Sequence, residues 1–214
     1  MPRPTNTAER RRQIADGLRR AMGRDGYDGA SIAEIARAAS LAPGIVHYHF
    51  DDKREILVEL LATLGAEHDA RLDDALAEAG DEPSARLRGF LDANLAVGRH
   101  ADPLTVQCWV AACAEAIKVP AVRAAWDGAL AGSARRLDAI IRRGVAAGAF
   151  RPRIPVDAAV AALLALIQGY LVLAVTARSR IPRRTAAGAA LVMAEGLLHP
   201  VRPLARKPPR RRRQ

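Results

Sequence analysis

The sequence predicts an all-α protein of nine helices, and three observations carry that expectation. Apolar residues recur at three- and four-residue spacing along most of the 214-residue chain, with almost no period-two alternation. The strongest breakers fall between these stretches, at Gly26, Gly80, Pro83, Pro103, Pro120 and Pro155. Ser31, with Glu34 three residues on, has the pattern of a capping box and so marks a local helix start. The length suits a small domain followed by a larger one.

A first helix is expected over residues 7–25, stopped by Gly26, and residues 31–49 read as two short helices joined by a tight turn. In the first of these, Ile32, Ile35 and Ala36 share a face, and the small Ala36 lets a second helix come close. Pro43 opens that second helix, because its fixed φ suits the first helical position and its missing N–H would be unpaired there anyway. Val46 and Phe50, four apart, give it a buried side and leave His47, Tyr48 and His49 for other faces. A long fourth helix follows over residues 52–79 with the stripe Ile56, Leu57, Leu60, Leu61 and Leu64. Further helices are expected over 83–100, 103–118 and 120–147, then an apolar one from Pro155 and a last one over 183–198. There is no internal repeat.

The segment 31–50 fits a helix-turn-helix, whose second helix enters the major groove while neighbouring residues fix the register on phosphates. The run Tyr48, His49, Phe50, Asp51, Asp52 and Lys53 resembles the TetR family of transcriptional regulators, in which a Tyr-x-Phe-x-x-Lys signature closes the DNA-binding unit. The likeness begins near Arg10, with the RRRQI and DGY segments, and the remainder of the chain matches in architecture alone. It implies a nine-helix TetR-like fold with a three-helix DNA-binding domain over residues 1–51 and a helical effector-binding and dimerisation domain over 52–200. It also implies a non-enzymatic regulator, commonly a repressor, that binds double-stranded DNA as a homodimer and answers to a small molecule. No cofactor or metal belongs to that expectation.

Family roles carry over by position. His47 and Tyr48 stand where phosphates are gripped, with His49 between Tyr48 and the anchor Phe50; Lys53 stands where a helix start meets the DNA backbone. Ala42, Pro43, Gly44 and Ile45 would face base edges, and Ser31, Ser40 and His49 complete the expected DNA-binding set. Two positions depart from the family pattern. Ser40 occupies the turn site usually held by glycine, where a left-handed backbone costs a residue with a side chain about 1 to 2 kcal/mol. Ala42 replaces the usual Ser or Thr cap, a loss of about 0.5 to 2 kcal/mol. Positions 42 to 45 carry no Arg, Lys, Asn or Gln, so base discrimination there is expected to be apolar, through thymine methyls and DNA shape.

The formal charge is +10, and seven cations with no acid lie beyond Val201: Arg202, Arg206, Lys207 and Arg210 to Arg213. Residues 201–214, also rich in proline, read as a disordered basic tail that adds non-specific affinity for DNA. Cys108 and Cys113, five apart on a helix, point about 140° away from each other and should not pair. With no secretory signal, a cytoplasmic location is expected. The apolar run from Ala158 to Ala177 is long enough to span a bilayer, but it is alanine-rich and stands alone, so a buried helix is the expectation and no membrane partner is assigned.

Small residues line the last two helices: Ala158, Ala162, Ala165 and Gly169, then Ala187 and Ala190. The resemblance implies a four-helix, two-fold interface there. Val106, Trp109, Val110, Cys113 and Ile117 form an expected buried stripe on the sixth helix. With Phe90 and Trp126 they suggest either core or the wall of a cavity, in which Asn94, Gln107 and Gln168 could orient a mainly apolar effector, with His100 adding a titratable group. Gly65 offers a bending point in the fourth helix, the natural lever between the two functions. Two rivals follow from particular residues. Asp51, Asp52 and Glu55 form a DDxxE pattern that could hold Mg²⁺ in a helical enzyme, although acids at a helix start also complement its dipole. The basic tail and poor base-reading chemistry suit a sequence-neutral architectural DNA binder.

Overall fold

The computed structural model describes residues 4–95, 102–182 and 184–204, with side chains from residue 7 onward. Among them stand nine α-helices and no strand, as the periodicity predicts. They are α1 (Pro4–Gly29), α2 (Ile32–Ala38), α3 (Pro43–His49), α4 (Lys53–Glu78), α5 (Pro83–Leu95), α6 (Pro103–Lys118), α7 (Pro120–Ala146), α8 (Val156–Thr176) and α9 (Ala186–Leu198). A 3-10 turn at Arg178–Arg180 follows α8, and α9 begins three residues later than expected. The expected stop at Gly26 is a kink (φ 71°, ψ 179°), after which one more turn runs to Gly29. His100, Arg183 and the tail cations Arg206, Lys207 and Arg210 to Arg213 lie outside the described residues.

The chain divides into two compact units, one of Met1–Arg71 with Val97–Ser133 and one of Leu72–Ala96 with Ala134–Gln214. In the first, α1 is the central helix. Ile14, Leu18 and Met22 on α1, Ile35 on α2, Val46 on α3 and Ile56, Leu57, Leu60 and Leu61 on α4 are all buried, as the stripe on the fourth helix predicts. Gly17 is where α1 and α2 meet: a Cβ there would lie 2.7 Å from the Ile35 carbonyl oxygen, a clash that only glycine avoids.

The sixth helix is turned from its expected face. Its buried residues are Val106, Cys108, Ala112 and Ala116, while Trp109, Val110 and Cys113 are half-buried and Ile117 is 73% exposed. The reason is distance. α6 packs on α1, Leu104 fills the space over Gly23, and the Cys108 thiol donates to the Arg19 carbonyl at 3.6 Å, so small residues face α1 and large ones flank the contact. Burial pushes the Cys108 thiol up to about 11, which leaves it protonated and a poor nucleophile at neutral pH. Both cysteines are free.

Gly65 also takes a different role from the one expected. α4 runs unbroken through it, and a Cβ at Gly65 would sit 3.1 Å from that of Ala129, so its absence lets α4 and α7 approach closely.

The second unit closes around Leu87, Phe90 and Leu91 of α5, Leu137 and Ile141 of α7, Leu163 and Ile167 of α8, and Ala190, Ala194 and Leu198 of α9. Arg88 ties the segment after α9 to it, donating Nε and Nη2 to the Leu204 carbonyl at 2.9 and 2.8 Å. Helix α8 is not the fully buried helix expected. It is long and apolar enough to cross a membrane by length and composition, yet Ala159, Val160, Leu163 and Ile167 alone are buried on it. Ala158, Ala161, Ala162, Ala165, Gly169, Val172 and Leu173 are exposed.

Candidate nucleic-acid interface

The helical hairpin is fixed at each end by bonds that leave one of its surfaces clear. At the start of α2, the Ser31 hydroxyl accepts from the Glu34 N–H at 3.2 Å, and the Ser31 N–H donates to Glu34 Oε2 at 3.0 Å, the reciprocal box that the spacing predicts. The Ser31 backbone and hydroxyl bonds hold the Glu34 carboxyl below its usual range. At the other end, the Leu41 N–H donates to the Ala36 carbonyl at 2.9 Å and the Ser40 N–H to that of Arg37 at 3.1 Å. This is a Schellman turn with serine in the glycine position, at φ 57°. Side chains of α1 take two more carbonyls, Gln13 Nε2 donating to Ala39 at 2.7 Å and Arg20 Nη2 to Ala38 at 2.7 Å.

The strain at Ser40 gives a testable consequence. Ser40→Gly removes the steric penalty while adding backbone freedom to the unfolded chain, so a net gain of about 0.5 to 1 kcal/mol is expected. Urea unfolding measures it, and an unchanged or lower midpoint contradicts it.

Helix α3 has no side-chain cap at Ala42, and Pro43 sits in its first turn as expected. Its inner side is anchored by Val46 and Phe50, 0% and 3% exposed. Its outer side consists of Ala42, Pro43, Gly44, Ile45, His47 and Tyr48, all exposed, the last by 83%. His49 is half-buried, edge-on to the Tyr48 ring at 5.1 Å between centroids.

Lys53 has internal work that its expected phosphate contact did not include. Its Nζ donates to the carbonyls of Tyr27 at 2.7 Å and Asp28 at 3.3 Å, and stands 4.3 Å from the Tyr27 ring centroid. It joins the start of α4 to the end of α1. Asp52 and Glu55 of the DDxxE pattern are likewise occupied. Asp52 Oδ1 accepts from the N–H groups of Arg54 and Glu55 at 2.8 and 2.9 Å, and Glu55 accepts from the Asp51 N–H at 2.9 Å. They cap a helix, as their dipole complementarity suggests.

Arg11 is the functional residue that sequence reasoning missed. It donates Nη1 to the His49 carbonyl at 2.7 Å, lies 4.0 Å over the Phe50 ring, and pairs with Glu55 at 3.1 Å and Glu59 at 2.9 Å. One guanidinium therefore holds the end of α3 to both α1 and α4. Burial opposes its charge, but the bonds from Glu59 and Glu55 outweigh that and raise its pKa. The signal was present: Arg11, Ile14, Ala15 and Leu18 follow helical spacing, which puts the arginine on the buried stripe.

A second arginine, Arg19, reaches from α1 to Glu67 of α4 at 3.3 Å and to Asp102 at 3.2 Å, and also donates to Thr105 on α6. Asp102 is itself the cap of α6, accepting from the Leu104 N–H at 3.2 Å.

The expected effector residues fall in different units. Gln107, Trp109, Cys113 and Trp126 belong to the first, where the structure brings the two tryptophans together, stacked at 3.8 Å with 27° between ring planes, and leaves Gln107 exposed. Phe90, Asn94 and Gln168 belong to the second. Phe90 is packed in its core, and buried Asn94 donates to the Phe90 carbonyl at 2.8 Å. Of the expected interface residues, Ala158, Ala162, Ala165 and Gly169 line the open side of α8; Ala187 is half-buried, and Ala190 is 0% exposed inside the unit's own core, where it packs within the chain.

Comparison with known proteins matches both parts of the chain. Residues 14–60 match the family model of bacterial regulatory proteins of the tetR family. Residues 83–199, more than half of the chain, match that of the BetI-type transcriptional repressor, C-terminal. The chain belongs to the TetR family of transcriptional regulators. Its relatives include the HTH-type transcriptional regulators BetI of Rhizobium meliloti, 30% identical over 58% of this chain and 60% of that protein, and of Paraburkholderia phymatum, 28% identical over 58% and 62%. The chain thus spans about three fifths of the length of the curated relatives it matches. Among solved structures, a TetR-family regulator from Thermus thermophilus is 25% identical, with a TM-score of 0.66 over 88% of this chain and 98% of that one. A regulator from Saccharomonospora viridis in complex with choline shares the fold at 24% identity, with a TM-score of 0.75 over 89% and 97%. FadR from Bacillus subtilis, in complex with stearoyl-CoA, shares it at 18% identity, with a TM-score of 0.71 over 86% and 96%.

Proposed function

We propose that this TetR-family protein is a transcriptional repressor that grips a palindromic operator as a homodimer and lets go when a small molecule binds. The observation that carries the reading is the two-sided α3: an inner side locked by Val46, Phe50 and Arg11, and an outer side of exposed small, apolar and aromatic groups. A rigid helix with a clear face is what major-groove reading needs. Pro43 and Ile45 contact thymine methyls, His47 and Tyr48 meet phosphates, and the one N–H that Lys53 does not spend on Tyr27 and Asp28 is left for the DNA backbone. Functionally, residues 1–51 read DNA, 52–200 bind effector and partner subunit, and 201–214 add basic charge. A cytoplasmic location suits that work.

Release is a population shift. Arg19 links α1, α4 and the start of α6, so an effector that moves α6 favours a different placement of the DNA-reading helices. Proteins of this fold are solved with ligands as unlike as choline and stearoyl-CoA, so the ligand class has to be sought in this chain's own lining. The stacked Trp109–Trp126 pair supplies an aromatic wall that suits a mainly apolar effector. These are the two tryptophans of the chain, so intrinsic fluorescence reports on that wall alone.

The test is an anisotropy titration on DNA from the protein's own upstream region, with and without unrelated competitor. Tight binding that survives competitor supports a regulator; equal loss to any DNA supports the architectural alternative. Tyr48→Phe sharpens the result. With Tyr48 83% exposed, stability should stay within about 0.5 kcal/mol, while loss of a phosphate hydrogen bond lowers operator affinity roughly tenfold. Unchanged affinity removes Tyr48 from the interface.

A further inference from the structure

An outer groove of the second unit concentrates positive charge that no other part of the fold explains. It encloses about 320 Å³ between the last turns of α4, the start of α5 and the second half of α7. Arg86, Arg136 and Arg143 line it, against one carboxylate, that of Asp73. Asp73 is already taken: Arg136 donates Nε and Nη2 to its two oxygens at 2.8 and 2.7 Å, and the bonds from Arg136 hold the carboxyl below its usual range. Arg86 gives Nη1 to the Leu76 and Gly80 carbonyls at 3.1 and 3.0 Å, the unpaired end of α4, and its Nε–H is buried with no acceptor. Arg143, exposed in the last turn of α7, has no ion pair among the described residues. Beneath these groups the groove is apolar, with Leu76, Ala139 and Ile140.

We propose that this groove binds a small organic carboxylate, its anionic head between Arg86 and Arg143 and its short apolar body on Leu76, Ala139 and Ile140. Guanidinium forks match the planar carboxylate. The charge balance favours a monoanion. Arg136 and Asp73 cancel, and the carbonyl ends of α4 and α7 offset part of Arg86 and of Arg143, which leaves roughly one unit of positive charge. The volume lies at the small end of the range for ligand sites, roughly 300 to 1,000 Å³, so the body is short. The floor of the groove is the outer edge of the unit's own core, to which Leu76 and Ile140 belong, and the site owes nothing to the DNA-reading assignment.

Thermal unfolding and calorimetric titration of the full chain at constant ionic strength, with hexanoate, hexanamide and inorganic phosphate as probes, test it without DNA. Hexanoate should raise the melting temperature of the wild type in a saturable way, and hexanamide and phosphate should not. Arg143→Gln should weaken hexanoate binding about tenfold or more while leaving the unliganded melting temperature in place, because Arg143 is exposed and makes no ion pair among the described residues. Arg135→Gln, about two turns away on the exposed side of α7, should bind as the wild type does. Absence of a hexanoate effect, an equal effect in Arg143→Gln, or an equal effect from phosphate or hexanamide overturns the proposal.

Discussion

Arg11→Ala should destabilise the protein by about 2 kcal/mol and weaken operator binding by roughly tenfold. The substitution takes Arg11 from three acceptors at once: the His49 carbonyl, Glu55 Oε1 and Glu59 Oε2. It also uncovers one face of Phe50. Hydrogen bonds to a charged group are worth about 1.5 to 3 kcal/mol when partly buried, and stranding a carboxylate pair adds to that. The side chain is 28% exposed, so solvent screens the ion pairs and the lower part of the range applies. The effect on DNA follows from position, because Arg11 fixes the last carbonyl of α3, next to Tyr48. Arg11→Lys separates charge from geometry. A single ammonium can keep one ion pair but cannot fork between a carbonyl and two glutamates, so it should recover less than half of the loss. Urea unfolding and operator anisotropy on both variants check this. An Arg11→Ala protein that unfolds at the wild-type midpoint contradicts the clamp.

That clamp also marks where the sequence stopped being legible. Features governed by near neighbours could be read directly. Ser31 and Glu34 are three apart, Pro43 needs only its own ring, and the serine at Ser40 had to bear a left-handed backbone once α2 and α3 were joined by so short a turn. Arg11 meets partners 38 to 48 positions away, and its spacing with Ile14 and Leu18 said that it was buried without saying against what. Lys53 shows the converse, an internal role hidden behind an external one. A cation at a motif position invites an external partner, yet the carbonyls of Tyr27 and Asp28 lie nearer. On α6, periodicity found a helix but chose the face by residue size, whereas close contact with α1 selects small side chains. The outward face of α8 was legible in its alanines and Gly169, but apolar character alone could not separate a core helix from one awaiting a partner.

Ala162→Arg should leave the fold of one chain intact and abolish the dimer, and with it at least about 100-fold of operator affinity. Ala162 is exposed on α8, between Ala158 and Ala165 on a surface that continues to Gly169, so a long charged side chain there meets solvent in the isolated chain. In a two-fold interface the same residue approaches its own copy or a near neighbour, and a new cation is introduced twice. Close packing of small residues cannot absorb that volume or that charge. Val192 and Met193 on α9, 59% and 51% exposed, add apolar area to the surface of the second unit, which makes a monomer in water costly. The loss of affinity follows from valency. One α3 with apolar base contacts binds weakly, and a second copy held about 34 to 36 Å away makes its half-site contact intramolecular. Sedimentation should give a dimer for the wild type and a monomer for Ala162→Arg at micromolar concentration, with similar helicity by circular dichroism. Ala70→Arg, equally exposed on α4, is the matched control and should remain dimeric. If Ala162→Arg stays dimeric and binds operator as tightly as the control, the α8 face is not where two copies meet.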